Sequence, residues 1–293
     1  MNIDTKKLNA ATIANFLSRL NILKEHHNGY VGNQEDEILA YIEQEFDEEQ
    51  LDRFFTAAYK DDTLVGLLGL DVDHDTKKAE IWGPYLAVED SSYLAAAIPL
   101  WEQAINKVEG AVEEYYGFYN QENVNGRRFM EALQAEKKST QIIMKMKNPQ
   151  VDFQMEYEVQ ELESEFADSF VKLHDMVFKN TYYSGNEILG RINADNKLFL
   201  AVEDGMLAGY CYVEGNPAFH EGSVEFIAVA EQFRKLGIGK ALLYRGLSHL
   251  FMQLRVEEIS ICVDDANQGA IQLYKAAGFQ EEHILDAYHY RAE

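Results

Sequence analysis

Phe226-Ile227-Ala228-Val229 followed by Arg234-Lys235-Leu236-Gly237-Ile238-Gly239-Lys240, and then by apolar residues at Leu243, Leu247, Leu250 and Leu254, reads as a strand, a glycine turn and the start of a helix. Such a junction is an anion site. Glycines let the backbone come close to a phosphate, and the N–H groups of the first helical turn, which have no partner within the helix, point at it. Arg234, Lys235 and Lys240 add positive charge in an otherwise acidic protein. A Walker A loop is excluded because only Ile238 separates the glycines and Ala241 follows Lys240. A dinucleotide fingerprint is excluded because Leu242 stands where its third glycine or alanine belongs.

Working outward from the loop, the coarse reading is of mixed α/β type. Downstream come a strand at 258–263, a helix at 268–277 and a last strand near 284–290. Upstream lie a strand at 153–159, a helix at 164–178 with apolar residues at Phe166, Phe170, Leu173 and Val177, and a short helix holding Ile188 and Leu189. A hairpin of 198–202 and 207–213 is joined by Glu203-Asp204-Gly205, and Asp-Gly is a strong hairpin signal. This order predicts a mixed β-sheet flanked by helices.

Asn267-Gln268-Gly269-Ala270-Ile271-Gln272-Leu273-Tyr274-Lys275-Ala276-Ala277-Gly278-Phe279 supplies a second motif, a helix that begins after Asn and ends Leu-Tyr-x-x-x-Gly-Phe. Together with Arg-x-x-Gly-x-Gly after a strand ending Ile-Ala-Val, it resembles the GNAT (general N-acetyltransferase) family over about residues 153–290. The resemblance implies an acyl-CoA-dependent N-acetyltransferase using acetyl-CoA as co-substrate and no metal. It further implies that the backbone of Ile227 and Val229 pairs with the pantetheine arm, that the amides of Lys235, Leu236, Gly237, Ile238, Gly239 and Lys240 hold the pyrophosphate, and that Asn267 adds a polar contact. Tyr274 takes the role of general acid toward the CoA sulfur. Glu225, acting through water, is the candidate base for the amine, and Tyr182 and Tyr183, in the loop 178–185, lie where the family shapes its acceptor site. The residue chemistry permits these roles; an Asn before a helix is also a plain N-cap, and a sensor that binds acyl-CoA without turnover is the alternative reading.

The 293 residues, 47% of them hydrophobic, suffice for two domains. Several segments recur in the same order, two of them at one offset: Val112-Glu113-Glu114 with Val256-Glu257-Glu258, and Asn123 with Asn267. Asp62 to Gly66 resembles Gly205 to Gly209, and Glu37-Ile38-Leu39 resembles Glu187-Ile188-Leu189. The expected organisation is a tandem pair: residues 1–146, a degenerate GNAT-like domain, and residues 150–293, the catalytic acyl-CoA-binding domain, with the boundary at Lys147-Asn148-Pro149-Gln150. In the first copy the matching strand, 80–88, runs into Glu89-Asp90-Ser91-Ser92, with no glycine pair and with carboxylates that repel a pyrophosphate. Met130 stands at the position of Tyr274, and Glu80 is the acidic counterpart of Glu225. The first copy is expected to complete the fold or to wall one side of the substrate cleft.

The net charge of −24 argues against nucleic-acid or anionic-membrane partners and suits a cationic acceptor. Cys211 and Cys262 sit in apolar runs and read as small core residues. No apolar run is long enough to span a bilayer, so a cytoplasmic protein is expected, and a homodimer is compatible with the reading. Asp71-Val72-Asp73-His74-Asp75-Thr76 imitates the opening of a calcium loop, but Thr76 and Trp82 stand where that loop needs Gly and Glu. A solvated hairpin turn is expected there instead. His220, Glu214 and Glu221 are placed near the same cleft, and the remaining histidines are read as incidental.

Overall fold

A computed structural model describes residues 2–3, 6–147, 153, 157–179 and 181–292. The first half begins with β1 (Asn2–Ile3) and α1 (Ala10–Asn21), on which Ile13, Ala14 and Leu17 form a buried stripe and Asn9 caps the first turn by accepting from the Thr12 N–H. Helices α2 (Glu35–Glu45) and α3 (Leu51–Phe54) follow. Strands β2 (Phe55–Lys60) and β3 (Thr63–Asp73) meet at Asp61 and Asp62, both at positive φ, as a tight hairpin requires. Between β3 and β4 (Lys78–Leu86), the Asp73 carboxylate accepts from the N–H groups of Asp75 and Thr76 and from the Thr76 hydroxyl. The calcium-loop imitation is therefore a self-bonded hairpin turn. Helix α4 (Tyr93–Lys107), β5 (Glu114–Asn120), α5 (Val124–Ala132) and β6 (Glu136–Lys147) complete this stretch.

The second half runs β7 (Gln160–Glu161), α6 (Ala167–Val177), α7 (Gly185–Arg191), β8 (Lys197–Glu203), β9 (Met206–Asn216), β10 (Glu221–Val229), α8 (Ile238–Ser248), β11 (Glu258–Asp264), α9 (Gln268–Ala277) and β12 (Gln280–Arg291). Asp204 and Gly205 close the β8–β9 hairpin, both at positive φ. Helix α8 continues as a π turn, His249–Leu254, which Arg255 ends in the left-handed conformation. Three readings need correction. The strand expected over 153–159 lies instead at Gln160–Glu161, and residues 154–156 fall outside the described residues. On α6 the buried face is Phe170, Leu173 and His174, while Val177, the last residue of the helix, is exposed. Cys262 is exposed, since its neighbours Ile261 and Val263 take the inward positions of β11; Cys211 is buried as expected.

Two compact units emerge, Met1–Gln141 with His283–Glu293, and Ile142–Glu282. The division differs from a cut at 147–150, of which residues 148–150 lie outside the described residues. The first unit takes its last strand, β12, from the far end of the chain: Leu285 to Arg291 pair antiparallel with Asn120 to Glu114 of β5, and the strand order is β1-β2-β3-β4-β5-β12. The second unit has the order β6-β11-β10-β9-β8-β7. Its sheet is mixed, with β8, β9 and β10 antiparallel and β10 parallel to β11. On one face α6 and α7 pack Phe170, Leu173 and Ile188 against Leu198, Leu200, Tyr210, Tyr212 and Phe226. On the other, α8 and α9 pack Leu242, Leu243, Leu247 and Ile271 against Phe199, Cys211, Val213, Val224 and Ile259.

Candidate functional site

The second unit's site is built on an interruption of β10. The register against β9 shifts between Val224 and Phe226, a bulge centred on Glu225. An extra residue flips the side-chain alternation, so Val224 belongs to the α8–α9 core whereas Phe226 belongs to the α6–α7 core. The bulge also ends pairing with β11, which runs only from Glu221↔Glu258 to Val224↔Ile261. Beyond it, Phe226 to Val229 pair with β9 alone, so among the described residues the edge of Ile227 and Val229 toward β11 has no strand partner.

Where β10 ends, the glycine loop begins. Gly237 is the N-cap of α8 at φ 84°, a left-handed conformation that glycine adopts without strain. A Cβ added at Gly239 would meet only Leu273 and Val229 at ordinary contact distances, and one added at Gly237 or Gly269 would meet nothing. Internal packing therefore does not demand these glycines; open space lies over them, as backbone approach by a pyrophosphate requires. Lys235, Leu236 and Lys240 are exposed, and Ile238 is buried beneath the first turn. Arg234 turns back, its Nε donating to the Val229 carbonyl at 3.2 Å, and Lys240 lies over the Tyr244 ring. These residues fit the pyrophosphate arm of acetyl-CoA.

Helix α9 borders the loop through Leu273, the neighbour of Gly239. Asn267 caps α9 by accepting from the Ala270 N–H at 3.2 Å, and Asn123 caps α5 in the same way through the Gly126 N–H. A cap of this kind contributes about 1 kcal/mol whatever the ligand. Tyr274 is buried beside Phe279, and burial raises its phenol above the ordinary value.

The residues expected at the acceptor end gather on the α6–α7 side. The Tyr182 hydroxyl donates to the Glu225 carboxylate, and its ring lies 5.0 Å from Phe226 and 4.8 Å from Tyr183. Burial raises the Glu225 carboxyl above the usual carboxylate range, against the lowering effect of hydrogen bonds from Ser223 and Tyr182. Glu214 is held by Arg191, which bonds both its oxygens at 2.8 and 3.2 Å and stacks 4.1 Å from the Tyr183 ring. Tyr212 donates to the same carboxylate at 2.7 Å. Glu214 is thus ion-paired, whereas Glu225 has no ion pair among the described residues. His220 is a turn residue at φ 57° whose carbonyl accepts from the Glu257 N–H. The structure therefore joins Tyr182 with Glu225, and Gly239 with α9; Tyr274 and Glu225 are not hydrogen-bonded to each other among the described residues. Residue 180 of the acceptor loop lies outside the described residues.

Sequence reasoning missed His174 and Arg191. His174 is fully buried, bonded to Tyr210 and to the Tyr183 carbonyl, and its signal was its position four residues after Phe170. The Arg191–Glu214 pair joins a helix to a strand across 23 residues and leaves no local pattern.

In the first unit the corresponding strands separate in the same way. β4 and β5 pair in parallel only from Lys78↔Glu114 to Glu80↔Tyr116. Here the chain fills the separation itself. Asn28 forms an antiparallel bridge with Tyr119, the Gly29 N–H donates to the Phe118 carbonyl at 2.7 Å, and the Asn120 N–H donates to the His27 carbonyl at 3.1 Å. On the β4 side the Asn28 amide donates to the Ile81 carbonyl at 2.8 Å, the Tyr119 hydroxyl to Gly83 and the Tyr93 hydroxyl to Pro84 at 2.6 Å. A Cβ at Gly29 would strike Phe118 and Leu285, so the segment is closely seated. Before α4, Ser92 is right-handed, and Glu89 and Asp90 are exposed. Met130, at the place of Tyr274, is buried against Gly117. Glu80 stands in register with Asp71, which accepts from the Tyr41 hydroxyl at 2.8 Å.

Residues 157–279 match the acetyltransferase (GNAT) family. An N-alpha-acetyltransferase of Sulfurisphaera tokodaii is 31% identical over 146 residues, 46% of this chain and 86% of the relative. A GCN5-related N-acetyltransferase from Sphaerobacter thermophilus superposes with a TM-score of 0.74 at 14% identity, covering 96% of this chain and 92% of that one. A tandem GNAT protein from the clavulanic acid biosynthesis pathway gives 0.58 at 16% identity, covering 82% of each chain. The chain belongs to the GNAT acetyltransferase family, whose members use acetyl-CoA as co-substrate, and its fold is that of a tandem GNAT protein. No helix of the described residues is long and apolar enough to cross a membrane.

Proposed function

We propose that this chain is an N-acetyltransferase with one active site, in the second unit, that acetylates a primary amine by direct transfer from acetyl-CoA. The observation that carries this reading is the contrast between the unpaired edge of Ile227 and Val229 and the filled separation beside β4. The first unit is then a degenerate copy that takes no acyl-CoA. The relative named an N-alpha-acetyltransferase favours an α-amino group, at the end of a peptide, as the acceptor. A cytoplasmic setting suits such chemistry.

Bound acetyl-CoA supplies the activated acyl carbon and a thiolate leaving group. The backbone of Ile227 and Val229 binds the pantetheine arm, and the amides of Lys235 to Lys240 hold the pyrophosphate. Glu225 removes the proton that an amine carries near neutral pH, directly or through water, and its raised pKa makes it a better base than an ordinary carboxylate. Tyr182 yields its hydrogen bond to Glu225 as the acceptor enters. Tyr274, held protonated by burial, delivers its proton to the departing sulfur.

The test is thiol release from acetyl-CoA by one short peptide offered with a free and with a blocked N-terminus, beside a panel of polyamines and aminoglycosides. Release with the free peptide alone supports the α-amino reading, and release with a polyamine alone replaces the acceptor class. Tight acetyl-CoA binding with no release on any amine makes the protein a sensor and overturns the proposal.

A further inference from the structure

His174 lies on α6 with no exposed surface, yet both its ring nitrogens are used. Nε2 is 2.8 Å from the Tyr183 carbonyl oxygen. A carbonyl only accepts, so Nε2 carries the hydrogen. Nδ1 is then left with its lone pair, which accepts from the Tyr210 hydroxyl at 2.6 Å. The tautomer is thereby set by the partners, and Tyr210 fixes the ring's orientation from below.

The ring also reaches the strand that carries the base. It packs T-shaped against the Phe226 ring with centroids 4.8 Å apart, and Phe226 is the residue beside Glu225 at the bulge. Phe226 in turn lies under the Tyr182 ring, whose hydroxyl donates to Glu225. One imidazole thus touches both halves of the acceptor end: the segment of Tyr182 and Tyr183 through a hydrogen bond, and the bulge through a ring contact. The same helix holds the segment again just downstream. Asp175 accepts from the Gly185 N–H at 2.9 Å, and Gly185 sits directly on the Val171 backbone. A phenylalanine in place of His174 would fill similar volume and keep the ring contacts while releasing the carbonyl.

We infer that His174, oriented by Tyr210, is a positioning residue that holds the Tyr182–Tyr183 segment over Glu225 and so sets acceptor binding. The inference rests on the reading that Tyr182 and Glu225 face the acceptor. The experiment uses the full chain with His174→Phe, Tyr210→Phe and His174→Gln, since glutamine retains an N–H donor for the carbonyl. Amide exchange over 181–187, the acetyl-CoA Kd, and kcat and KM for a short peptide with a free N-terminus are measured on each. In His174→Phe, exchange over 181–187 speeds about tenfold while that of α9 is unchanged. Acceptor KM rises about tenfold, with kcat and acetyl-CoA Kd held within about twofold. Tyr210→Phe moves the same quantities less, and His174→Gln recovers most of the loss. Unchanged exchange over 181–187 in folded His174→Phe and Tyr210→Phe overturns the inference. So does an acceptor KM that stays put, or an acetyl-CoA affinity that falls in step with it. Should no peptide be turned over by the parent chain, the function above fails, and the exchange measurement still decides whether His174 holds the segment.

Discussion

Two parallel strand pairs in this chain begin alike and end differently. In the second unit β10 leaves β11 after Val224↔Ile261, and in the first β4 leaves β5 after Glu80↔Tyr116. The backbone groups exposed by such a parting must be satisfied, by a ligand, by water or by the protein itself. The first unit uses Asn28, Gly29, Tyr93 and Tyr119 for the purpose. Among the described residues the second leaves Ile227 and Val229 without a strand partner on the β11 side and sets a glycine-capped helix beyond them. On the function proposed above, the first copy is silent less for its missing glycines than for the chain segment that bonds where a pantetheine arm would pair.

The comparison breaks most severely at Gly237. A glutamate there must adopt φ 84° and brings a carboxylate to the anion site, so Gly237→Glu is expected to weaken acetyl-CoA binding by more than about a hundredfold, read by calorimetry. Tyr274→Phe lowers kcat by about a hundredfold while leaving acetyl-CoA Kd within about twofold; an unchanged kcat removes Tyr274 from the mechanism. Glu225→Gln is expected to lower kcat/KM by about tenfold to a hundredfold. Its pH profile is the sharper readout: the proposed mechanism needs Glu225 deprotonated and its pKa is raised, so parent activity is expected to fall as pH drops through that raised value, and the glutamine variant to lose this acid limb.

On the filled side, Asn28→Ala removes the amide donor to the buried Ile81 carbonyl. A loss of about 1 to 3 kcal/mol in urea unfolding is expected, with no gain of a second CoA site. The smallest effect is at Glu114, whose carboxyl is held down to about 2 by hydrogen bonds from Tyr116 and Arg291. Glu114→Gln lowers the urea midpoint at neutral pH. Because the folded value is depressed, the contribution is present above the ordinary carboxylate range and is lost as pH falls toward 2, so the parent and variant midpoints converge there.

The elements of the second unit were readable because their signals are local. Asp204-Gly205 closes a hairpin, Asn267 caps a helix, and Gly237 and Gly239 mark the loop. Open space lies over Gly237, and a Cβ on Gly239 would meet only Leu273 and Val229 at ordinary contact distances. What escaped is non-local. Nothing near Asn28 announces that it bridges to Tyr119 and bonds Ile81, and nothing near His283 announces that the chain's last strand belongs with the first unit. His174 escaped for another reason: a count of apolar residues passes over a histidine on a buried face, although its spacing from Phe170 held the signal. Cys262 was misplaced because β11 alternates and an apolar run does not say which face a cysteine takes.

The stoichiometry of acetyl-CoA binding to the full chain, by calorimetry with native mass spectrometry beside it, tests the central claim most directly. The open parting of β10 and β11 and the filled parting of β4 and β5 predict one acetyl-CoA per chain, abolished by Gly237→Glu. Two per chain, or one that survives Gly237→Glu, would contradict the account.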